Sequence, residues 1–252
     1  MEWFGITDKG IKRASNQDCF SVITVGDHLL AVVCDGMGGE NGGNVASRMA
    51  CEYFTERLSD SIHSVDDPSL LTDVLLKRFI TNSVSKANFE IHRESERKSE
   101  LYGMGTTLVA CLLTADNALI VNVGDSRLYH ISENSVRQIT KDHSLVQALV
   151  DAGSITEKQA AHHPNKNIIT RAVGVDKDVE CDLYEERNLS GYLLLCSDGL
   201  SNYLDHKRLL NILHSSTGLQ AKCESLIAYA NQCGGADNIT AILIKLGREK
   251  SV

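Results

Sequence analysis

Apolar and polar positions recur along this chain with two different periods, and the changes of period mark its elements. Residues 29–34, LLAVVC, are apolar without interruption, as expected of a strand buried on both faces. The glycine-rich DGMGGENGG that follows is expected to be irregular. From about residue 44 to 58 the apolar positions Val45, Met49, Tyr53 and Leu58 return at helical spacing. Asp67 before Pro68 supplies an acidic N-cap with a first-turn proline. From there Leu71, Val74, Leu75, Phe79, Ile80, Val84, Ala87 and Ile91 carry a long helical stripe.

The middle of the chain changes to strand character. Residues 106–113 and 118–123 read as two strands around the turn residues Ala115, Asp116 and Asn117. A further strand, 127–131, is entered through the tight Gly124-Asp125 pair. Residues 144–166 are polar and weakly helical, with Gly153 and Pro164 as breakers, and read as a surface insertion of the kind that carries specificity. Strands at 192–196 and 239–246 flank a helix over 219–232 that stops at Gly234-Gly235. Few strands are separated by single crossover helices, which favours an α+β layered sandwich over a parallel α/β sheet.

Composition narrows the function classes. The 252 residues include only two prolines, and no linker or repeat divides them, so residues 1–252 read as one domain. Hydrophobic residues make up 42% of the chain, which excludes a disordered protein. A net charge of -8 with no basic stripe excludes a nucleic-acid scaffold. No apolar run is long enough to span a membrane, and MEWFGITDKG lacks the pattern of a secretory signal. The eight cysteines form no C-x-x-C pair, which argues against zinc and for a reduced, cytoplasmic setting.

Candidate chemistry lies in aspartates at strand ends. Asp35 follows LLAVVC, Asp125 follows IVNVG, Asp198 follows LLLCS, and Asp237 stands two residues before the last strand. Each is flanked by glycine or small residues that let backbone and ligand approach. Carboxylates at the ends of buried strands are costly unless paired or bound to cations. Only Arg127 and Lys141 lie near them in sequence as counter-charges. Oxygen-only ligation points to Mg²⁺ or Mn²⁺, and two such ions could acidify a water for attack on phosphorus. Taken singly, each Asp-Gly pair also fits an ordinary turn or cap. A dinucleotide site in the glycine-rich loop is disfavoured, because Asn41 stands where the third glycine of G-x-G-x-x-G belongs. In residues 7–18, Arg13 offers a planar fork suited to phosphate oxygens, and Asp18 could hold a water.

Eight segments in order extend this pattern: RASNQD at 13–18, DGMGG at 35–39, GTT at 105–107, NVGDSR at 122–127, KDHS at 141–144, NIITRAVG at 167–174, SDGL at 197–200 and GGADNIT at 234–240. Together they resemble the bacterial branch of the metal-dependent protein phosphatases of type 2C, over about residues 5–245. The resemblance implies a four-layer α-β-β-α sandwich, two antiparallel sheets flanked by helices, with metals at one end. It implies that Asp35 bridges two core Mn²⁺ or Mg²⁺ ions, with the Gly36 carbonyl on one and Asp198 and Asp237 on the other. Asp125 and Asp198 would hold a weaker third ion, Asp18 would act through ordered water, and Arg13 would grip the substrate phosphate.

The same resemblance implies hydrolysis of phosphoserine and phosphothreonine proteins by direct attack of a metal-bridging hydroxide, opposing a serine/threonine kinase. It implies a monomer and makes 144–166 a flap beside the site. Eukaryotic relatives carry histidine where this chain has Met37, which cannot donate a proton. A water or another histidine would then protonate the leaving oxygen: His163 in the flap, also a candidate substrate-binding residue, and His143 are the histidines available, and for each a structural, hydrogen-bonded role is slightly favoured. A silent phosphoprotein-binding module would have lost one of Arg13, Asp35, Asp198 or Asp237, and none is lost. A regulatory phosphatase acting on one small phosphoserine protein is the remaining alternative.

Overall fold

The computed structural model describes residues 2–115 and 117–247; Asp116 of the expected turn lies outside them. In chain order the strands are β1 (Glu2–Asp8), β2 (Asp18–Val25), β3 (His28–Met37), β4 (Gly105–Thr106), β5 (Leu108–Leu113), β6 (Asn117–Val123), β7 (Arg127–Ile131), β8 (Val136–Gln138), β9 (Asp182–Arg187), β10 (Tyr192–Cys196) and β11 (Ile239–Lys245). The helices are α1 (Gly39–His63), α2 (Asp73–Arg97), α3 (Leu145–Asp151), α4 (Glu157–Ala160), α5 (Asp198–Ser201), α6 (His206–His214) and α7 (Leu219–Gln232).

One sheet runs β1-β11-β10-β7-β8 and the other β2-β3-β5-β6-β9, with β4 paired to β3. Every described strand pairing is antiparallel. Alternation along the strands sorts side chains into three cores. On β3, Leu30, Val32 and Cys34 face α1 and α2, whereas Leu29, Ala31 and Val33 face the opposite sheet. On β10, Leu193 and Leu195 enter the layer between sheets and Leu194 and Cys196 meet α6 and α7. Residues 29–34 of β3 and 193–196 of β10 are therefore apolar at every position. The result is the expected α-β-β-α sandwich.

Several boundaries differ from the sequence reading, each for a local reason. The glycine-rich stretch after Asp35 is largely regular: β3 continues to Met37 through pairing with β4, and α1 starts at Gly39. Only Gly38, at φ 120°, turns the chain between them. Asp67 caps just a short 3₁₀ turn at Pro68–Leu70, and α2 begins later, where the Thr72 hydroxyl accepts the Leu75 N–H. The strand read over 106–113 is broken at Thr107, whose N–H donates to the Asp35 carbonyl at 2.8 Å. The sequence reading omitted β1, β2, β8, β9, α5 and α6. Strands β1 and β9 are sheet edges with mixed polarity, and β9 is laced by ion pairs such as Arg137–Glu186.

The core between α1, α2 and their sheet includes Phe54, which is 0% exposed. Phe54→Ala is expected to cost about 3–5 kcal/mol. Urea denaturation checks this, as a lower midpoint at an unchanged slope.

Candidate active site

Sheet register brings the first carboxylates together. Asp18 on β2 stands directly opposite Asp35 on β3, and opposed residues of an antiparallel pair share a face. From the other sheet, Asp198 opens α5 just after β10, and Asp237 immediately precedes Asn238 and β11. Asp125 sits in the turn between β6 and β7, where Gly124 takes φ 105°. The strand ends thus converge from both sheets at one end of the sandwich.

Buried hydrogen bonds fix this arrangement. One Asp18 oxygen, Oδ2, accepts from the Ser197 hydroxyl at 2.7 Å and the Thr240 hydroxyl at 2.6 Å, tying β2 to the opposite sheet. Asn238 accepts the Gln17 N–H at 2.8 Å and donates to the carbonyls of Lys9 and Ser15 at 2.9 Å each. Its own N–H donates to Asp237 Oδ1 at 2.8 Å. Asn202 donates to Asp198 Oδ2 at 3.1 Å. Asp35 is held through its backbone: its N–H donates to the Thr107 hydroxyl, and its carbonyl accepts from Thr106 Oγ1, both at 2.9 Å. Gly36 packs against the Gly43 backbone so closely that a Cβ would collide with it. The Arg13 guanidinium, half exposed, reaches Asp237 Oδ2 at 2.7 Å.

Crowding dominates the electrostatics. Burial and the neighbouring aspartates push the Asp35 carboxyl well above its ordinary range. Asp18 is pushed up to about 6, by burial first, against the opposing Ser197 and Thr240 hydrogen bonds. Burial and Asp198 raise Asp125 to about 7, and burial with Asp237 raises Asp198. Hydrogen bonding to Asp237 raises the Arg13 guanidinium above its ordinary value. Arg127, expected as a counter-charge, is instead engaged by Asp142 at 2.6 Å, and Lys141 pairs with Asp151 at 2.8 Å.

This donor set fits divalent cations. Asp18 Oδ1 and Asp198 Oδ1 are buried without a hydrogen-bond partner, and such orphans are costly unless something positive meets them. Among the described residues no three His, Cys, Asp or Glu side chains close on one point as a ready-made cage. An open carboxylate rim is nevertheless what Mg²⁺ accommodates, because it keeps several waters and takes few protein ligands.

The structure brings Arg13, Asp35, Gly36, Asp125, Asp198 and Asp237 to the wall of one cleft of about 460 Å³, with Asp18 beside them. His163 does not line that cleft; it lies in the flap, where Nδ1 accepts the Asn165 N–H at 3.1 Å. His143 is buried below the Asp125 turn, accepting the Gly124 N–H at Nδ1 (3.0 Å), with Asp182 at 3.2 Å from Nε2. The flap's base is closed by an antiparallel bridge between Ser144 and Ile169, and it presents Asn167 and Ile169 to the cleft. Sequence reasoning gave no role to Asn238, Ser197, Thr240 or Thr107. For Asn238, Ser197 and Thr240 the signal was a place in a matching segment that holds an aspartate; Thr107 lay in the matching GTT, which holds none.

Removing divalent cations leaves the carboxylates to ionise against one another. Groups with raised folded values stabilise the fold fully below their unfolded value of 3.8 and lose that contribution as pH rises through about 6 to 7. Chelated protein is therefore expected to lose melting temperature from about pH 5 to about pH 8, and added Mn²⁺ to restore more at the higher pH. Thermal denaturation with and without chelator checks this; an equal Mn²⁺ effect at both pH values would contradict a shared site.

Comparison with known proteins identifies the family. The family model described as protein phosphatase 2C matches residues 10–243. A serine/threonine phosphatase stp from Listeria monocytogenes is 39% identical over 241 residues, covering 95% of this chain and 93% of the relative. Protein phosphatase PhpP of Streptococcus pneumoniae is 35% identical, covering 99% of both. The crystal structure of serine/threonine phosphatase Stp1 from Staphylococcus aureus superposes with a TM-score of 0.88 at 35% identity, covering 98% of this chain and 95% of that one. The Mycobacterium tuberculosis phosphatase PstP/Ppp gives 0.83 at 33% identity, covering 98% and 99%. Strand-end carboxylates, the rim arginine and these likenesses agree, and the chain belongs to the protein phosphatase 2C family.

Proposed function

We propose that this family member, a protein serine/threonine phosphatase, hydrolyses phosphoserine and phosphothreonine in proteins by direct attack of water, without a phosphoenzyme. The carboxylate rim carries the reading, because five aspartates gathered around one cleft with Arg13 at its rim call for cations and then for an anionic substrate. Asp35, the Gly36 carbonyl, Asp198 and Asp237 would hold Mn²⁺ or Mg²⁺. Asp125 and Asp198 would hold a further, weaker-bound ion, and Asp18 a water. When bound, such cations supply an acidified water and neutralise charge on the phosphoryl oxygens.

The chain's own residues do the rest. Arg13 is held by Asp237 at the cleft, and its guanidinium fork would meet two phosphate oxygens. Met37 lines the cleft and offers no proton. His143 is buried with one ring nitrogen already accepting a backbone N–H, and His163 lies off the cleft wall, so solvent in the open cleft protonates the leaving serine or threonine oxygen. Among the described residues no helix is long and apolar enough to cross a membrane. All eight cysteines are free thiols, which supports a cytoplasmic enzyme. We infer that it works as a monomer, as one catalytic domain, opposing a serine/threonine kinase.

Release of phosphate from a phosphothreonine peptide, with chelator, Mg²⁺ or Mn²⁺, tests the reading. Turnover is expected only with metal and is expected to vanish in Asp35→Asn and Asp237→Asn. Folded wild-type protein that binds the peptide without turnover would instead make it a phosphoprotein-binding module. Arg13→Ala is expected to raise KM about tenfold or more while leaving the Mn²⁺ requirement nearly unchanged; an unchanged KM would remove Arg13 from phosphate binding.

A further inference from the structure

Asp125 owes its place in the cleft wall to its two neighbours in the chain. Among the described residues no other side chain bonds its carboxylate. On one side, the Ser126 and Thr107 hydroxyls share a bond of 2.7 Å. Thr107 is itself tied to Asp35, whose N–H its hydroxyl accepts at 2.9 Å and whose carbonyl takes its N–H at 2.8 Å.

On the other side, His143 engages both backbone groups of Gly124. The His143 N–H donates to the Gly124 carbonyl at 2.9 Å, and the Gly124 N–H donates to His143 Nδ1 at 3.0 Å. Asn122, fully buried, adds a 3.2 Å bond to the same carbonyl. Gly124 has little room to move, because a Cβ there would strike the Thr107 side chain.

Accepting an N–H requires Nδ1 to be unprotonated, so the neutral ring carries its proton on Nε2. Nε2 lies 3.2 Å from Asp182 Oδ2. Arg171 comes within 3.1 Å of Nε2. Two donors cannot bond each other, and Arg171 gives its hydrogen to Asp182 Oδ1 at 2.9 Å. Burial, helped by the Arg171 charge, holds the ring below the ordinary histidine range against the Asp182 hydrogen bond. A general acid would need its N–H toward the cleft, whose lining does not include His143. Here that N–H faces Asp182.

We propose that His143 is a positioning residue, whose Nε2–H tautomer, set by Asp182, holds the Gly124 N–H and thereby fixes Asp125 for its cation. This rests on the reading of Asp125 as a cation ligand given above, and names the group that keeps it in place. Partners that orient a metal ligand from behind commonly govern affinity by about tenfold to a hundredfold.

The test compares His143→Asn, whose Oδ1 replaces Nδ1 as an acceptor, with His143→Leu, which offers none. Weakly bound Mn²⁺ is counted by electron paramagnetic resonance of the free ion, with Asp125→Asn as the reference for a lost ligand. His143→Leu is expected to weaken that binding about tenfold or more, as Asp125→Asn does, and His143→Asn to restore most of it. Wild-type Mn²⁺ binding in folded His143→Leu, or an equal loss in both His143 variants, overturns the proposal. Where His143→Leu fails to fold, ¹⁵N resonances of the wild-type ring at neutral pH decide together with His143→Asn. They are expected to show a bare Nδ1 and a protonated Nε2; the opposite tautomer or an imidazolium overturns the proposal. Asp125→Asn that binds Mn²⁺ as wild type does overturns it together with the Asp125 assignment. Phosphothreonine-peptide hydrolysis by wild type, measured in parallel, tells that outcome from failure of the phosphatase reading.

Discussion

Repulsion among carboxylates gathered at one end of a two-sheet sandwich is the constraint on which the site depends. Asp18, Asp35, Asp125 and Asp198 are each pushed toward protonation by burial and by one another. A fold holds such a cluster only if surrounding structure over-determines it. Here the scaffold is the sheet ladder itself, which fixes Asp18 against Asp35 by register and leaves little freedom to relax. Divalent cations are the natural counterweight, and their binding would feed back into stability.

The two sheets are joined at that same end by polar contacts as well as by the apolar layer. Asp18 gathers the hydroxyls of Ser197, just after β10, and of Thr240 on β11. Asn238 pins the loop that carries Arg13 through the Lys9 and Ser15 carbonyls. Glycine makes the close approach possible, since a side chain at Gly199 would run into the Asn238 carbonyl. Small residues beside the aspartates thus serve packing between strand ends as much as ligand access. Charge and packing are solved by the same few positions.

Much of the fold was legible because strands buried on both faces have no polar phase. β5, β10 and the apolar stretches of β3, β6 and β11 stand out, and α7 was read with its observed limits. Edge strands escaped for the opposite reason: DLYEER in β9 pairs on one side only and spends its charges on neighbours. The path from Asp35 into α1 was misread because glycine usually breaks structure. There it permits the Gly36–Gly43 backbone contact instead.

By itself the sequence determined which residues could carry charge at strand ends, since Asp35, Asp125, Asp198 and Asp237 follow or precede runs that could only be buried strands. It also determined the family, through short segments that keep their order. Only the tertiary structure decided that Asp18 is a buried partner of hydroxyls 179 and 222 residues away. Only the tertiary structure moved His143 beneath the Asp125 turn and placed His163 off the cleft wall. Periodicity reports the face a residue presents within its own element, whereas these roles arise from register and loop packing between elements far apart in the chain.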